Sequence, residues 1–412
     1  MRYTIVSCVF PPETTVSSRT SFDLAQALAA AGHEVTVIAA FPNRPEGRLY
    51  PGYRRGFMKR ERSEAGFRII RCFSVFSRRS TLLSRMMENL TFGISTLIAL
   101  LRQPRPDAIY SNTWPIIATG LVALFVRARK VPLLISVQDV YPESLIVQGR
   151  LRERGLSAKL LYRLDSAIAR SARTVAAITP TMARQYAESR RLDPSRIVVV
   201  RNWMSEEWMG EAIDTGAFRK KVGVPPEAFV FGYGGNIGVA ANVETIIEAF
   251  RGLDDLPNVH LLIGGAGSSL ERCQRLAEAV APARIHFRSP WPVEETADLL
   301  AAADVLVLPT LGAQSMASAP SKLISYMLAG KPTVALALDG SDIQTVMTDA
   351  EGGWVLSPDD PQALASLLRM VASLPSHELA RHGSSARAYA QANLTRAAGL
   401  PKLLRAFEAI TG

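Results

Sequence analysis

Cysteine and histidine are scarce in this 412-residue sequence, at three and five residues. Cys8, Cys72 and Cys273 are too few and too far apart for a disulfide framework or a thiolate metal site, so a reducing compartment is expected. His33, His260, His286, His377 and His382 are scattered over turns, strand starts and late helices, none beside ligand-like neighbours. Each reads as structural or solvated, and metal catalysis finds no support. Absent too are a Gly-Lys-Thr/Ser phosphate loop, a Gly-x-Ser-x-Gly elbow and a His-Glu-x-x-His pair. No apolar run is long and unbroken enough for a bilayer. Residues 89–101 lack charge but are few, and Ser111, Asn112, Thr113 and Pro115 interrupt 108–126. Residues 1–10 read as a strand without a basic region before it, so neither a signal peptide nor a transmembrane helix is expected.

What is present is globular in kind. Hydrophobic residues at 48% and charged residues at 20% exclude a disordered or fibrous chain. The length exceeds what one core usually serves, which implies two domains. The net charge of +10 is unevenly spread, +16 over residues 1–200 and −6 over 201–412. Two electrostatically distinct halves fit two domains with different partners.

Strand-like and helix-like patterns alternate. Strands are expected at 4–9, 34–39, 68–73, 108–111, 133–137 and 175–178. Helices are expected near 18–31, 80–102, 116–128, 156–171 and 181–190. Residues 204–226, weakly patterned and mixed in charge, read as a linker. The alternation restarts with strands at 229–233, 260–263, 285–287, 305–308 and 333–336, and ends in a helix at 397–410. Parallel βαβ units follow, and the predicted fold is α/β with two Rossmann-like, doubly wound domains facing a central cleft.

Three segments carry candidate chemistry. Ser318, Ala319, Pro320, Ser321 and Lys322 precede and open a short helix, where unpaired amides, a hydroxyl and an ammonium suit a diphosphate. The bland alternative is a plain helix cap with a solvated lysine. Gly234, Gly235, Asn236, Ile237 and Gly238 end one strand, and Gly264, Gly265, Ala266 and Gly267 end the next, both at carboxyl ends. Ser17, Ser18 and Arg19 enter the first helix and are candidates to face an anion, with either serine equally readable as an N-cap. Asp139 and Glu143 follow another buried strand. They are candidates to orient an acceptor hydroxyl or serve as a base, against a capping or core-polar role for Glu143.

Taken in order, Phe10-Pro11-Pro12, Gly32-His33-Glu34, Phe41-Pro42-Asn43, Asp139 to Ser144, Asn202-Trp203, Gly235-Asn236-Ile237-Gly238, Pro320-Ser321-Lys322 and Gly330-Lys331-Pro332 resemble a known family. These are the retaining glycosyltransferases of family 4, of GT-B architecture, and within them the bacterial surface-polysaccharide subgroup of fucosamine and colanic-acid transferases. The resemblance implies an acceptor-binding domain at 1–203, a nucleotide-sugar-binding domain at 204–393, and a helix at 394–412 returning to the first. It implies that Gly235, Asn236, Ile237, Gly238, Ser321 and Lys322 hold the donor diphosphate, and that Ser289, Pro290 and Trp291 lie against the base; Ser318 and Pro320 are expected among the donor-binding residues. The catalytic roles fall to Asp139, Glu143 and Lys322. Several family positions depart from type. The paired glutamates fall at Ala317 and Ser325, leaving Ser325 one neutral hydrogen bond for the ribose. The donor-site Arg and Lys fall near Asn236 and Asn242, and a customary histidine is Gln138.

The implied activity is metal-independent, retaining transfer from a nucleotide-sugar, UDP- favoured over GDP-, to a lipid-diphosphate-linked or oligosaccharide acceptor, with no cofactor. A sugar-nucleotide epimerase of the same shape is the competing enzyme, but no acid/base histidine stands at a strand end. The basic half suggests a third class. The run Arg54-Arg55-Gly56-Phe57-Met58-Lys59-Arg60 suits an anionic surface or a solvated loop. An apolar helix beyond it favours lipid over nucleic acid, unless residues 89–101 form a buried core helix. The expected location is therefore cytoplasmic, peripheral to the inner face of the cell membrane, with no nucleic-acid partner.

Overall fold

The computed structural model describes the chain except residues 45–46, 78–81, 148, 205–213, 313–320 and 412. Backbone contacts divide it into two compact units, Met1–Asn202 with Arg396–Gly412, and Trp203–Thr395. The boundaries read from sequence, 203/204 and 393/394, shift slightly for a local reason. Met204 bridges Thr395 in parallel, and its amide donates to the Leu394 carbonyl at 3.2 Å, so the two ends of the second unit are tied together.

The first unit opens with β1 (Arg2–Val6), α1 (Val16–Ala30), β2 (Glu34–Ala40), β3 (Met58–Arg62) and β4 (Arg68–Cys72). There follow α2 (Leu82–Leu101), β5 (Ala108–Asn112), α3 (Ile116–Arg129), β6 (Leu133–Val137) and α4 (Glu143–Val147). It continues with α5 (Leu156–Ser171), β7 (Thr174–Ala177), α6 (Pro180–Arg190) and β8 (Ile197–Val199). The strand order is β3-β4-β2-β1-β5-β6-β7-β8. Every residue of β5 and β6 is buried, as expected of parallel strands covered on both faces.

The sequence reading missed β3. Its residues Met-Lys-Arg-Glu-Arg show no apolar alternation, because it is an antiparallel edge strand on β4 with largely exposed side chains. The basic run 54–60 is thus no free loop in its second half: Lys59 pairs with Glu61 at 3.0 Å. Right-handed crossovers place α1 on one face of the sheet and α2, α3 and α5 on the other. In keeping, α3 packs between α2 and α5.

The second unit comprises α7 (Thr215–Lys221), β9 (Phe229–Gly234), α8 (Val243–Ala249), β10 (Val259–Gly264), α9 (Leu270–Val280) and β11 (Ile285–Arg288). Then come α10 (Thr296–Ala302), β12 (Val305–Leu308), α11 (Ser321–Leu328), β13 (Thr333–Leu336) and α12 (Asp342–Asp349). It closes with β14 (Gly353–Leu356), α13 (Pro361–Ala372) and α14 (Ser376–Asn393). All six strands are parallel, in the order β11-β10-β9-β12-β13-β14. The region read as a linker includes α7, capped by the Asp214 carboxylate and anchored by buried Phe218 and an Arg219–Asp304 ion pair at 3.0 Å. The final helix α15 (Arg396–Glu408) belongs to the first unit, where Phe407 packs on Tyr3 and Tyr110.

Candidate functional site

From β9 the chain steps outward to β10 on one side and, later, to β12 on the other. Such a reversal opens a crevice beyond the carboxyl ends of the strands, where open α/β sheets take their ligands. The glycine clusters lie there. Gly235 has φ +153°, and a Cβ on it would stand 2.0 Å from Lys322 Cε, so only glycine lets the lysine stem cross. Gly265 is the counterpart on the next loop: a Cβ there would meet the Gly235 carbonyl oxygen at 1.9 Å.

Hydrogen bonds zip the two loops together. Gly235 N donates to Gly264 O, Ile237 N to Ala266 O, and Ser269 N to Ile237 O, each at 2.9 Å. Ile237 is fully buried as well, which corrects its assignment to the donor: its side chain is core and both its backbone groups are engaged. Among the described residues the amides of Asn236 and Gly238 carry no backbone acceptor.

Lys322 and Tyr326 stand one turn apart on α11 and share a face. The Tyr326 hydroxyl accepts from Gly234 N at 3.0 Å and donates to Gly234 O at 3.1 Å, fastening α11 to the end of β9. Sequence reasoning passed over Tyr326, though its i+4 spacing from Lys322 was available. Lys322 Nζ lies 5.6 Å from the Tyr233 ring centroid. Burial lowers its pKa, and no carboxylate among the described residues offsets this. The site therefore holds a desolvated cation at the start of α11, with no carboxylate partner among the described residues.

Other predicted donor residues divide. The Ser325 hydroxyl donates back to Ser321 O at 3.1 Å and sits against Met204 Sδ, so it is already engaged. Trp291 packs its ring beside Gly234, and its buried Nε1 finds no acceptor among the described residues. Asn242 donates to Asp359 Oδ1 at 3.3 Å. Ser289 is half-buried and Pro290 exposed just beyond β11, while Ser318 and Pro320 lie outside the described residues.

In the first unit the helix entrance differs from the sequence reading. Thr15, not Ser17 or Ser18, is the N-cap of α1, accepting from Ser18 N at 3.3 Å. The buried Ser18 hydroxyl donates to Glu13 O at 2.6 Å and is lost to any ligand, whereas Ser17 is half-buried and Arg19 exposed. Glu13, which sequence reasoning did not single out, organises this loop. Its carboxylate accepts from the amides of Phe10, Asn43 and Arg44 at 2.9 to 3.0 Å.

Asp139 and Glu143 are not equivalent. Asp139 lies just past β6, open to solvent yet ringed by protein, and reduced hydration raises its pKa against the Ser144 and Val140 donors. Glu143 is gripped on both oxygens by Arg190, at 2.6 and 2.8 Å. That geometry fixes the start of α4 and favours the structural, core-polar reading of Glu143 over the catalytic one.

The structure also brings together two histidines that the sequence keeps apart. His260 Nδ1 and His286 Nε2 lie 2.9 Å apart on adjacent strands β10 and β11. Burial, then the Arg284 charge, lowers the His260 pKa; burial, then His260, pushes His286 down to about 4. A depressed folded-state pKa gives stability that is complete above the unfolded value, near 6.5, and is lost as pH falls towards 4. His286→Gln is expected to flatten that part of the stability–pH curve, as read by urea unfolding between pH 7 and 4. An unchanged slope would remove the pair from the acid response.

Comparison with known proteins gives the family. Residues 17–203 match the glycosyl transferase 4-like domain, and residues 228–373 match the glycosyl transferases group 1 domain. The chain belongs to this family of GT-B glycosyltransferases. It is 25% identical to the putative colanic acid biosynthesis glycosyl transferase WcaI of Escherichia coli, over 96% of this chain and 97% of that one. It is 27% identical to the probable glycosyltransferase WbjE of Pseudomonas aeruginosa, over 79% and 80%. Two solved structures share the fold. Anabaena HepE in complex with UDP aligns at TM-score 0.72 and 14% identity, over 99% of this chain and 100% of that one. WaaG, a glycosyltransferase involved in lipopolysaccharide biosynthesis, aligns at 0.68 and 19%, covering both chains fully.

Proposed function

We propose that the protein transfers a sugar, with retention of configuration, from a nucleoside-diphosphate sugar to a lipid-diphosphate-linked or oligosaccharide acceptor in surface-polysaccharide assembly. The observation that carries this is the buried Lys322 ammonium, without a carboxylate partner among the described residues and drawn across Gly235 at the switch point of the second sheet. A diphosphate supplies the missing anion, and the amides of Asn236 and Gly238 with the first turn of α11 supply donors. The likeness to WcaI over nearly its full length, and to WbjE over about four-fifths, supports the polysaccharide context, and the UDP held by HepE supports a UDP-sugar over a GDP-sugar.

In the proposed step the bond between the anomeric carbon and the diphosphate oxygen breaks while Lys322 and these amides take up the developing charge. The acceptor hydroxyl adds on the same face and gives its proton to the departing diphosphate oxygen. Asp139, with its raised pKa, orients the acceptor hydroxyl. Charge neutralisation rests on Lys322, so turnover is metal-independent in this reading.

Thermal-shift and turnover screening across UDP- and GDP-sugars, with and without EDTA, tests it. Stabilisation by a UDP-sugar, EDTA-insensitive transfer and a retained anomer by NMR are the expected results. No stabilisation or turnover with any donor would sink the donor assignment, and an inverted anomer would sink the mechanism.

A further inference from the structure

Leu83, Met87, Leu90, Ile94 and Leu101 recur at helical spacing along α2, and all are exposed, Leu83 by 64%. They form a single apolar ridge, while Phe92, Ala99 and Leu100 on other faces are buried. The expectation of a buried core helix at 89–101 is therefore half right: α2 is apolar towards both core and solvent. The ridge does not stand alone. On the neighbouring helices Leu124 of α3 is 63% exposed, and Leu156 and Leu160 of α5 are 85% and 67% exposed.

The charges on this face share one sign. The exposed charged residues of α3 and α5 are Arg127, Arg129, Lys159, Arg163 and Arg170. The acidic residues of the three helices, Glu88 and Asp165, are both buried. Glu153, just before α5, sits between Arg152 and Arg154.

We infer that the outer face of α2, α3 and α5 is a docking surface for an anionic lipid bilayer, with the leucine ridges entering the headgroup layer and the α3 and α5 cations meeting lipid phosphates. Leucines exposed among cations, with no exposed carboxylate on the described residues of these helices, complement such a surface in both apolar area and charge. A second copy of the chain fits less well. Two-fold pairing of this face would set cations against cations. The cations come from α3 and α5, not from the 54–60 run that the sequence brought forward. No helix among the described residues is long and apolar enough to cross a membrane, so the contact is interfacial. The inference does not depend on the transferase reading.

Flotation with phosphatidylcholine vesicles, with and without phosphatidylglycerol, is the test, run at low and high salt without any sugar donor. The wild-type chain is expected to float with phosphatidylglycerol vesicles at low salt and to be released at high salt. The triple variant Leu83→Ser, Leu90→Ser, Ile94→Ser should bind roughly tenfold less, and so should Lys159→Glu with Arg163→Glu. Circular dichroism melts should stay close to wild type, because all these side chains are exposed. No flotation at low salt overturns the inference. So does flotation that both variants retain, or a dimer in light scattering that the leucine variant dissolves.

Discussion

Lys322→Met is expected to lower kcat/KM for sugar transfer by roughly 2–4 kcal/mol of transition-state stabilisation, the loss of one charged donor on the leaving group. Methionine preserves the stem that crosses Gly235, so the variant removes charge while keeping the packing. It should also be as stable as wild type or more so, since it deletes a desolvated cation that no carboxylate among the described residues neutralises. Lower activity with higher stability separates a ligand-binding lysine from a structural one. A pH effect follows with a definite sign. Burial lowers the Lys322 pKa in the free protein, so KM for the donor should rise on the alkaline side before an ordinary lysine would deprotonate. In Lys322→Met that alkaline limb should vanish. Wild-type turnover in this variant would remove Lys322 from the reaction.

How far the sequence showed this depends on the element. Buried parallel strands announce themselves as β-rich runs, and β5, β6, β9 and β12 fall close to where the pattern put them. An edge strand has no buried face to reveal it, and β3 overlaps the basic run whose pattern suits an anionic surface or a solvated loop. The donor loop was legible in kind, because glycines at strand ends and a lysine at a helix start are local signals. The contacts between them were not. Gly234 and Tyr326 are 92 positions apart, and His260 meets His286 only through the register that pairs Leu262 with His286. For the two carboxylates after β6 the sequence raised a structural role for Glu143 alone, without a partner to decide it. Arg190, from the end of α6, is that partner.

Arg190→Met is expected to destabilise the N-terminal unit by about 3–5 kcal/mol, the scale for breaking a buried ion pair from one side. Its side chain is fully buried, donating to Glu143 through both Nη atoms and to Asp165 Oδ2 through Nε at 2.6 Å, with a further bond to the Tyr141 carbonyl. The Tyr162 and Tyr186 rings flank the guanidinium at 5.0 and 5.1 Å. Burial works against the Arg190 charge, but Glu143 and Asp165 more than offset it and the pKa is raised. Asp165 shows the opposite balance: burial raises its pKa and Arg190 only partly restrains it. Without Arg190 the Asp165 carboxylate loses its counter-charge and its pKa must climb further. A folded-state pKa above the unfolded one gives stability that is present at low pH and lost as pH rises through the folded value. The deficit of Arg190→Met should therefore be larger at pH 7.5 than at pH 5, as measured by urea unfolding. Adding Asp165→Asn should recover part of it, because the orphaned charge is then gone. A loss independent of pH and unrelieved by the second substitution would mean that packing, not the ion pair, holds α4, α5 and α6 together. Because the same guanidinium fixes Tyr141 and Glu143 on either side of the turn after Asp139, partial unfolding here should cost acceptor use before donor binding.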